Sequence, residues 1–146
     1  MTNLVRYYIL VTEENNWKKS FEKNVWGFSE KTRGYWNSME VGEYVAFYVT
    51  EPIKKIIGFG KVVKKYVEED LFWPDEILFN RSLLKYRIKF DIVYRLDDYT
   101  NGIKLPLALV LNVGRKVISE EKFLELVRIS DTAWNSNIEK IITMKN

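Results

Sequence analysis

Two aromatic side chains stand where regular packing would not obviously use them. Trp26 lies in "NVWGFSEKTRGYW" (Asn24–Trp36), followed by glycines and charges, and Trp73 lies in "EEDLFWPDE", after a carboxylate run and before Pro74. A tryptophan in an irregular segment offers a large rigid face with few rotatable bonds, and a planar ring stacked on such a face gains roughly 1–3 kcal/mol. The same residues would serve equally as plugs folded back over the ends of a barrel, and composition does not separate the two readings. Trp17 and Phe21, four apart, share one helical face, and plain packing beneath that helix accounts for them.

Absences prune the chemistry. The chain has no His and no Cys, which excludes an imidazole or thiolate zinc site, a Ser-His or Cys-His nucleophile pair and a histidine general base. Any catalysis would fall to Asp, Glu, Lys or Tyr, with Glu69 or Asp70 as the acid or base. Glu68, Glu69, Asp70, Asp97 and Asp98 cluster in turns, without the ligand spacing of a calcium loop. "GFGK" has glycines but neither the spacing nor the following helix of a phosphate-cradling loop. The net charge of +3, from 23 basic and 20 acidic side chains, permits an anionic partner without demanding one. Lys85, Arg87 and Lys89, with Arg95 and the lysines of the preceding hairpin, could contact phosphates. They read equally well as the solvated side of a half-buried sheet.

These residues need elements to position them. With 146 residues, 47% of them apolar and 15% aromatic, the chain can bury a core as one domain over residues 1–146. No basic-then-apolar leader opens it and no apolar run reaches roughly 18 residues, so the expectation is a cytoplasmic protein that does not span a membrane. "VRYYILVT" (Val5–Thr12) reads as a strand, after which Thr12 caps a short helix with Glu13 and Glu14 in its first turn. Tyr44–Thr50 is apolar enough to be a strand buried on both sides. Lys55–Tyr66 is a strand whose Gly58 and Gly60 mark a bulge, a bend or a close approach. Leu84–Leu96 alternates strictly, with Leu84, Tyr86, Ile88, Phe90, Ile92, Tyr94 and Leu96 on one face, over a length that demands a bend. "PLALVLNVG" reads as strand or helix, "SEEKFLELVRI" as a helix capped by Ser119, and "SNIEKIITM" as a helix or a closing strand. Consecutive strands, short turns and a few helices predict an α+β protein, a small mixed β-barrel flanked by short helices.

The order of the motifs adds a resemblance. A first strand, "ENNW", "NVWG", a glycine turn, "FYV", a glycine-containing strand, "DLFW" and "YRIKF" together resemble the EVE domain family of PUA-like folds, from about Tyr7 to Tyr94. The resemblance implies a relative of the domains that read methylated adenine in RNA. It therefore implies a non-enzymatic module, without cofactor or metal, that binds RNA or DNA through a flipped-out nucleobase, a methylated one included. Carried over by position, Trp26 and Gly27 match the family's "WG" at the pocket, and Asn16 and Trp17 match its "NW" pair. Ser29 falls in the loop lining the same cavity, Tyr48 matches the tyrosine of "FY", and Trp73 aligns with an aromatic on the far wall. Lys85, Arg87 and Lys89 would hold flanking phosphates. Two departures are Val41-Gly42-Glu43 where the family usually has Pro-Gly-Asp, and Lys61 where it often has an acidic residue. The competing reading is a small-molecule-binding protein, or a small carboxylate-dependent enzyme, using the same pocket.

Overall fold

The computed structural model describes residues 5–106 and 117–144. Six strands form one curled mixed sheet: β1 (Tyr7–Thr12), β2 (Val25–Phe28), β3 (Tyr44–Val49), β4 (Lys55–Val67), β5 (Tyr86–Arg95) and β6 (Val117–Ile118), in the order β2-β5-β4-β3-β1-β6. Among the described residues only β1 and β3 pair in parallel, and the other strand pairs are antiparallel. The parallel pair is possible because α1 (Glu14–Lys23), β2 and α2 (Arg33–Ser38) lie between the two strands in sequence and make the crossover. After β4 come α3 (Pro74–Phe79), β5, a 3-10 turn at Tyr99–Asn101, β6, α4 (Glu120–Trp134) and α5 (Ile138–Thr143). No described helix is long and apolar enough to cross a membrane.

Period-two alternation sends successive side chains to opposite faces, and here both faces are covered. Tyr8 and Leu10 of β1, Val45, Phe47 and Val49 of β3, and Ile88 and Phe90 of β5 join Trp17, Trp26 and Phe28 in one core. Tyr7 and Ile9 of β1 and Ala46 of β3 face a second core, completed by Phe123, Leu126 and Val127 of α4 and by Ile138 and Ile142 of α5. The long β4 follows the curl through register shifts against both neighbours, between Phe47 and Tyr48 on one side and at Phe59/Gly60 and Val62/Lys64 on the other. Gly60 is a close approach as well: a β-carbon there would lie 2.7 Å from the Phe47 ring.

The strands of the sequence analysis stand, with β5 narrowed to Tyr86–Arg95 and β4 reaching Val67, but the alternation of β5 breaks: its register against β4 skips Val93, so Tyr94 turns to the second core while Ile92 faces the first. Ser119 caps α4 by accepting from the Lys122 N–H, and "SNIEKIITM" is helical over Ile138–Thr143. "PLALVLNVG" lies outside the described residues apart from Pro106. Three local readings change. Glu13, not Thr12, stands at the start of α1, because Thr12 Oγ1 is engaged by Asn16 Nδ2 at 3.0 Å. The stretch around Trp26 is not irregular: Val25–Phe28 is a strand, fully buried because it pairs with β5 and carries rings into the first core. Pro74 does not stop regular structure but opens α3 at its first turn, where a missing N–H costs nothing.

The connection from β4 to β5 is organised by one buried carboxylate. Glu76 Oε1 accepts from the Phe72 N–H at 3.0 Å and the Trp73 N–H at 3.3 Å; Oε2 accepts from Leu83 N–H at 3.0 Å and Leu84 N–H at 2.9 Å. The Arg87 guanidinium lies 3.3 Å from Oε1, donates to the carbonyl oxygens of Leu84 and Asp70, and sits 5.0 Å over the Trp73 ring. Glu76 is fully buried and Arg87 nearly so. Removing one partner of such a pair leaves the other charge buried and alone, at a cost of about 3–5 kcal/mol. Glu76→Ala should therefore lower unfolding free energy by about 3 kcal/mol or more in urea titrations, and the Trp73 environment should change in the folded state. An unchanged denaturation midpoint would contradict this account.

A second prediction concerns pH. Burial, with the Glu120 carboxylate 3.3 Å away, pushes the Tyr7 hydroxyl from 10.0 up to about 12. The folded state thus holds this proton more tightly than the unfolded chain. Its contribution to stability is complete below pH 10.0 and is lost as the pH rises through about 12. Burial raises Tyr8, Tyr48, Tyr66 and Tyr99 in the same direction. The urea midpoint should fall across that alkaline range, less steeply in Tyr7→Phe than in the parent; parallel curves would reject the assignment.

Candidate base-binding cavity

A cavity of about 290 Å³ opens where the C-terminal end of β1 faces the edge strand β2. β1 contributes Leu10, Val11 and Thr12; β2 and the turn after it contribute Trp26, Gly27, Phe28, Ser29 and Thr32; Asn16 comes from α1, Asp75 from α3 and Leu84 from the connection just before β5. Trp73 closes the wall.

Its aromatic faces are held from behind. Trp26 packs on Trp17 with ring centroids 4.8 Å apart, and Trp17 is fully buried with its Nε1 donating to the Tyr48 carbonyl at 2.7 Å. Trp73 donates from Nε1 to Ser20 Oγ at 3.0 Å and carries the Arg87 guanidinium on its face. Gly27 is needed for this wall: a β-carbon there would come within 2.6 Å of Leu84 Cβ and 2.8 Å of the Trp73 ring. Trp26 differs from Trp17 and Trp73 in one respect. Its Nε1 is buried and finds no hydrogen-bond partner among the described residues, an arrangement that costs about 1–3 kcal/mol.

The polar lining is equally positioned. Asn16 Nδ2 donates to Thr12 Oγ1 across one helical turn. The Ser29 N–H donates to Thr32 Oγ1 at 2.9 Å while the Thr32 N–H donates to Ser29 Oγ at 3.3 Å, a reciprocal pair that locks the turn after β2. Asp75 is exposed at the first turn of α3 and is the carboxylate on the cavity lining. The backbone supplies more. Asn24 O accepts from Phe90 N–H, so in the alternating antiparallel pattern Trp26 and Phe28 also bond to β5 while Gly27 turns its N–H and C=O outward.

Of the residues singled out by sequence, Trp26, Gly27, Ser29, Asn16 and Trp73 meet at this cavity. Trp17 and Tyr48 do not line it. Trp17 backs Trp26 from within the core, and the Tyr48 side chain joins the second core, because alternation along β3 puts it on the opposite face from Phe47. Arg87 is turned inward, drawn by Glu76, whereas Lys89 is exposed and Lys85 half-buried with its Nζ 5.4 Å over the Tyr86 ring. Arg33 shares that ring at 4.9 Å. The Tyr86 hydroxyl donates to Glu30 at 2.6 Å; this bond, and then Arg33, holds the Glu30 carboxyl below its usual range. Glu69 and Asp70 lie outside the cavity, and no cluster of three or more carboxylates among the described residues is placed to hold a metal ion. Sequence reasoning missed Asp75, Thr12 and Thr32. The signal for Asp75 was "WPDE", a proline-led helix start that places an acid one turn from the wall tryptophan.

No protein-family model matches the chain. A UPF0310 protein of Pyrococcus abyssi is 30% identical over 66 residues, which are 40% of this chain and 46% of that one, so the match spans about half of the relative. Solved structures are similar over far more of the chain. The Mmi1 YTH domain in complex with RNA superposes with a TM-score of 0.61 at 13% identity, over 90% of this chain and 80% of that one. A hypothetical protein from Leishmania major gives 0.57 at 18% identity, over 89% and 97%. The YTH domain of Zygosaccharomyces rouxii MRB1 protein, in complex with N6-methyladenosine RNA, gives 0.53 at 15%, over 88% of each. At these identities the likeness is one of fold, and the fold is YTH-like and PUA-like.

Proposed function

We propose that the chain is a non-enzymatic nucleic-acid-binding module of the EVE type, which accepts one nucleobase turned out of its strand. The observation that carries this reading is the meeting of Trp26 and Trp73 with Asn16, Ser29 and Asp75 around one cavity of about 290 Å³. That volume is at the small end of ligand pockets, near about 300 Å³, and suits a base better than an extended ligand. Two solved structures that share the fold are described as YTH domains in complex with RNA, which supports a nucleic acid as the partner.

The lining divides the work of recognition. Trp26 and Trp73 offer apolar faces to the ring. The Gly27 N–H and C=O, Asn16 and Ser29 read the polar edge. A carboxylate only accepts, so Asp75 favours a base with an exocyclic amino group, adenine, cytosine or guanine, over uracil or thymine. A methyl group on that base adds about 0.8 kcal/mol by filling apolar space. Lys85 and Lys89, with Arg33 taking the part first assigned to Arg87, meet the flanking phosphates.

Tryptophan fluorescence titration with single-stranded RNA and DNA, with and without N6-methyladenine or 5-methylcytosine, tests the reading. Trp26→Ala should weaken binding about tenfold or more, the equivalent of the 1–3 kcal/mol of one stacked base. Asp75→Ala, at an exposed position that leaves the fold intact, should erase the preference for bases with an exocyclic amino group over uracil or thymine. If no oligonucleotide, single-stranded or duplex, binds at low salt, or if both variants bind as the parent does, the base-cavity reading is rejected.

A further inference from the structure

The short helix that brings Asp75 to the cavity ends in the most exposed apolar cluster among the described residues. Ile77 is 58% exposed, Leu78 74% and Phe79 62%. A helix places residues three and four apart on one face, so Leu78 and Phe79 stand on the same face as Asp75, a turn beyond the cavity wall. They are not the loose end of a mobile segment. Glu76, in the middle of α3, is tied to four backbone N–H groups and to Arg87. Asn80 ends the helix in the left-handed conformation at φ 51, and the Arg81 N–H returns to the Glu76 carbonyl at 3.1 Å. The helix therefore holds two large apolar side chains out in water, rigidly, beside the site proposed for a flipped base.

The charges around the cavity indicate what those side chains meet. Lys19 and Lys23 of α1 stand 4.7 and 5.5 Å over the Phe72 ring, next to the Trp73 wall. A second group, Arg33 and Lys85, stands over Tyr86, the register partner of Phe28. Two pairs of cations are thus carried on different elements next to cavity-wall residues, Lys19 also facing Glu22 at 3.4 Å and Arg33 facing Glu30 at 3.3 Å, with the apolar tip of α3 close by. When a base leaves a duplex, its neighbours lose a stacking partner, and an apolar wedge that fills the vacated step offsets that loss. A single strand has no such gap to fill.

Building on the base-cavity reading above, we propose that Leu78 and Phe79 form a wedge that enters the base step vacated by flipping, so that the partner is duplex rather than single-stranded nucleic acid. The tip supplies the apolar contact, Asp75 and the tryptophans take the base, and the two lysine and arginine groups hold the two strands.

The test compares fluorescence anisotropy of a labelled duplex and of its single strand, each carrying one N6-methyladenine and each prepared as DNA and as RNA. The parent protein should bind one of the duplexes more tightly than the matching single strand. The double variant Leu78→Ser/Phe79→Ser should lose about tenfold on that duplex and less than about twofold on the single strand. Phe79→Leu, which keeps an apolar tip, should stay close to the parent, and thermal melting checks that each variant is folded. The single variant Leu78→Ser, at the most exposed of the positions, serves if the double variant melts early. Tighter binding of both single strands, or an equal loss on duplex and single strand, overturns the wedge while leaving the base cavity standing. Unchanged duplex affinity in the double variant also overturns it, and assigns the tip to another partner such as a protein. No binding to any of the four probes at low salt removes the base-cavity reading and the wedge with it.

Discussion

The carboxylate of Glu76 is the interaction on which the site depends. Five donors converge on it, four backbone N–H groups and the Arg87 guanidinium, and they come from both ends of the same connection. A buried ion pair gains little over an apolar pair of the same shape unless its remaining lone pairs and protons are also bonded. Here they are, and what the arrangement secures is position. Closing Phe72–Trp73 onto Leu83–Leu84 fixes where Trp73 lies, Arg87 then covers one face of that ring, and the other contacts of the ring come down onto Gly27. The need for glycine in "VWG", the inward turn of Arg87 and the presentation of α3 all follow from one acid on the buried side of a six-residue helix.

The cavity exists because the sheet curls without sealing. β2 stands at one end of the strand order and β1 next to the other end, four places along. The bulges of β4 bend the sheet until these strands face each other. Across this seam β1 and β2 do not pair, and α1 and the turn after β2, each braced by a local hydrogen bond, Asn16–Thr12 and Ser29–Thr32, line the opening between them. The outward N–H and C=O of Gly27 are thus left on the seam, beside aromatic rings. Apolar faces next to unpaired directional groups are what a planar, polar-edged ligand needs.

Much of this architecture could be read from residue order, and the exceptions share a cause. The alternation in Leu84–Leu96 identified β5, and Ser119 identified the start of α4, because periodicity and caps are local signals. Trp26 looked stranded in a polar loop because its strand is four residues long, too short for alternation to show. Arg87 occupied an outward position in the pattern, yet it is buried, because its partner Glu76 lies eleven residues away in a different element. Tyr48 was placed in the pocket by a family motif and removed from it by strand parity, a constraint that applies only once the register with β1 and β4 is known. Long-range pairing of charges and rings leaves no mark at any spacing.

One local imperfection is informative for that reason. Trp17, Trp36, Trp73 and Trp134 each find an acceptor for the indole N–H, and Trp26 among the described tryptophans does not. Buried polar groups are almost always bonded, so an exception asks for a reason. A phenylalanine would fill the same core position without the penalty. The surrounding packing does not explain the nitrogen, because Trp17 and Phe28 contact the ring and offer no acceptor. The ring lines the cavity while its nitrogen is sealed within the packing, so the indole is held there for its broad apolar face. An indole held rigidly by Trp17 loses no conformational freedom when a planar occupant packs on it, so more of that contact is expressed as affinity. On this account Trp26 sacrifices a little stability for a wider and more rigid cavity wall than phenylalanine would give.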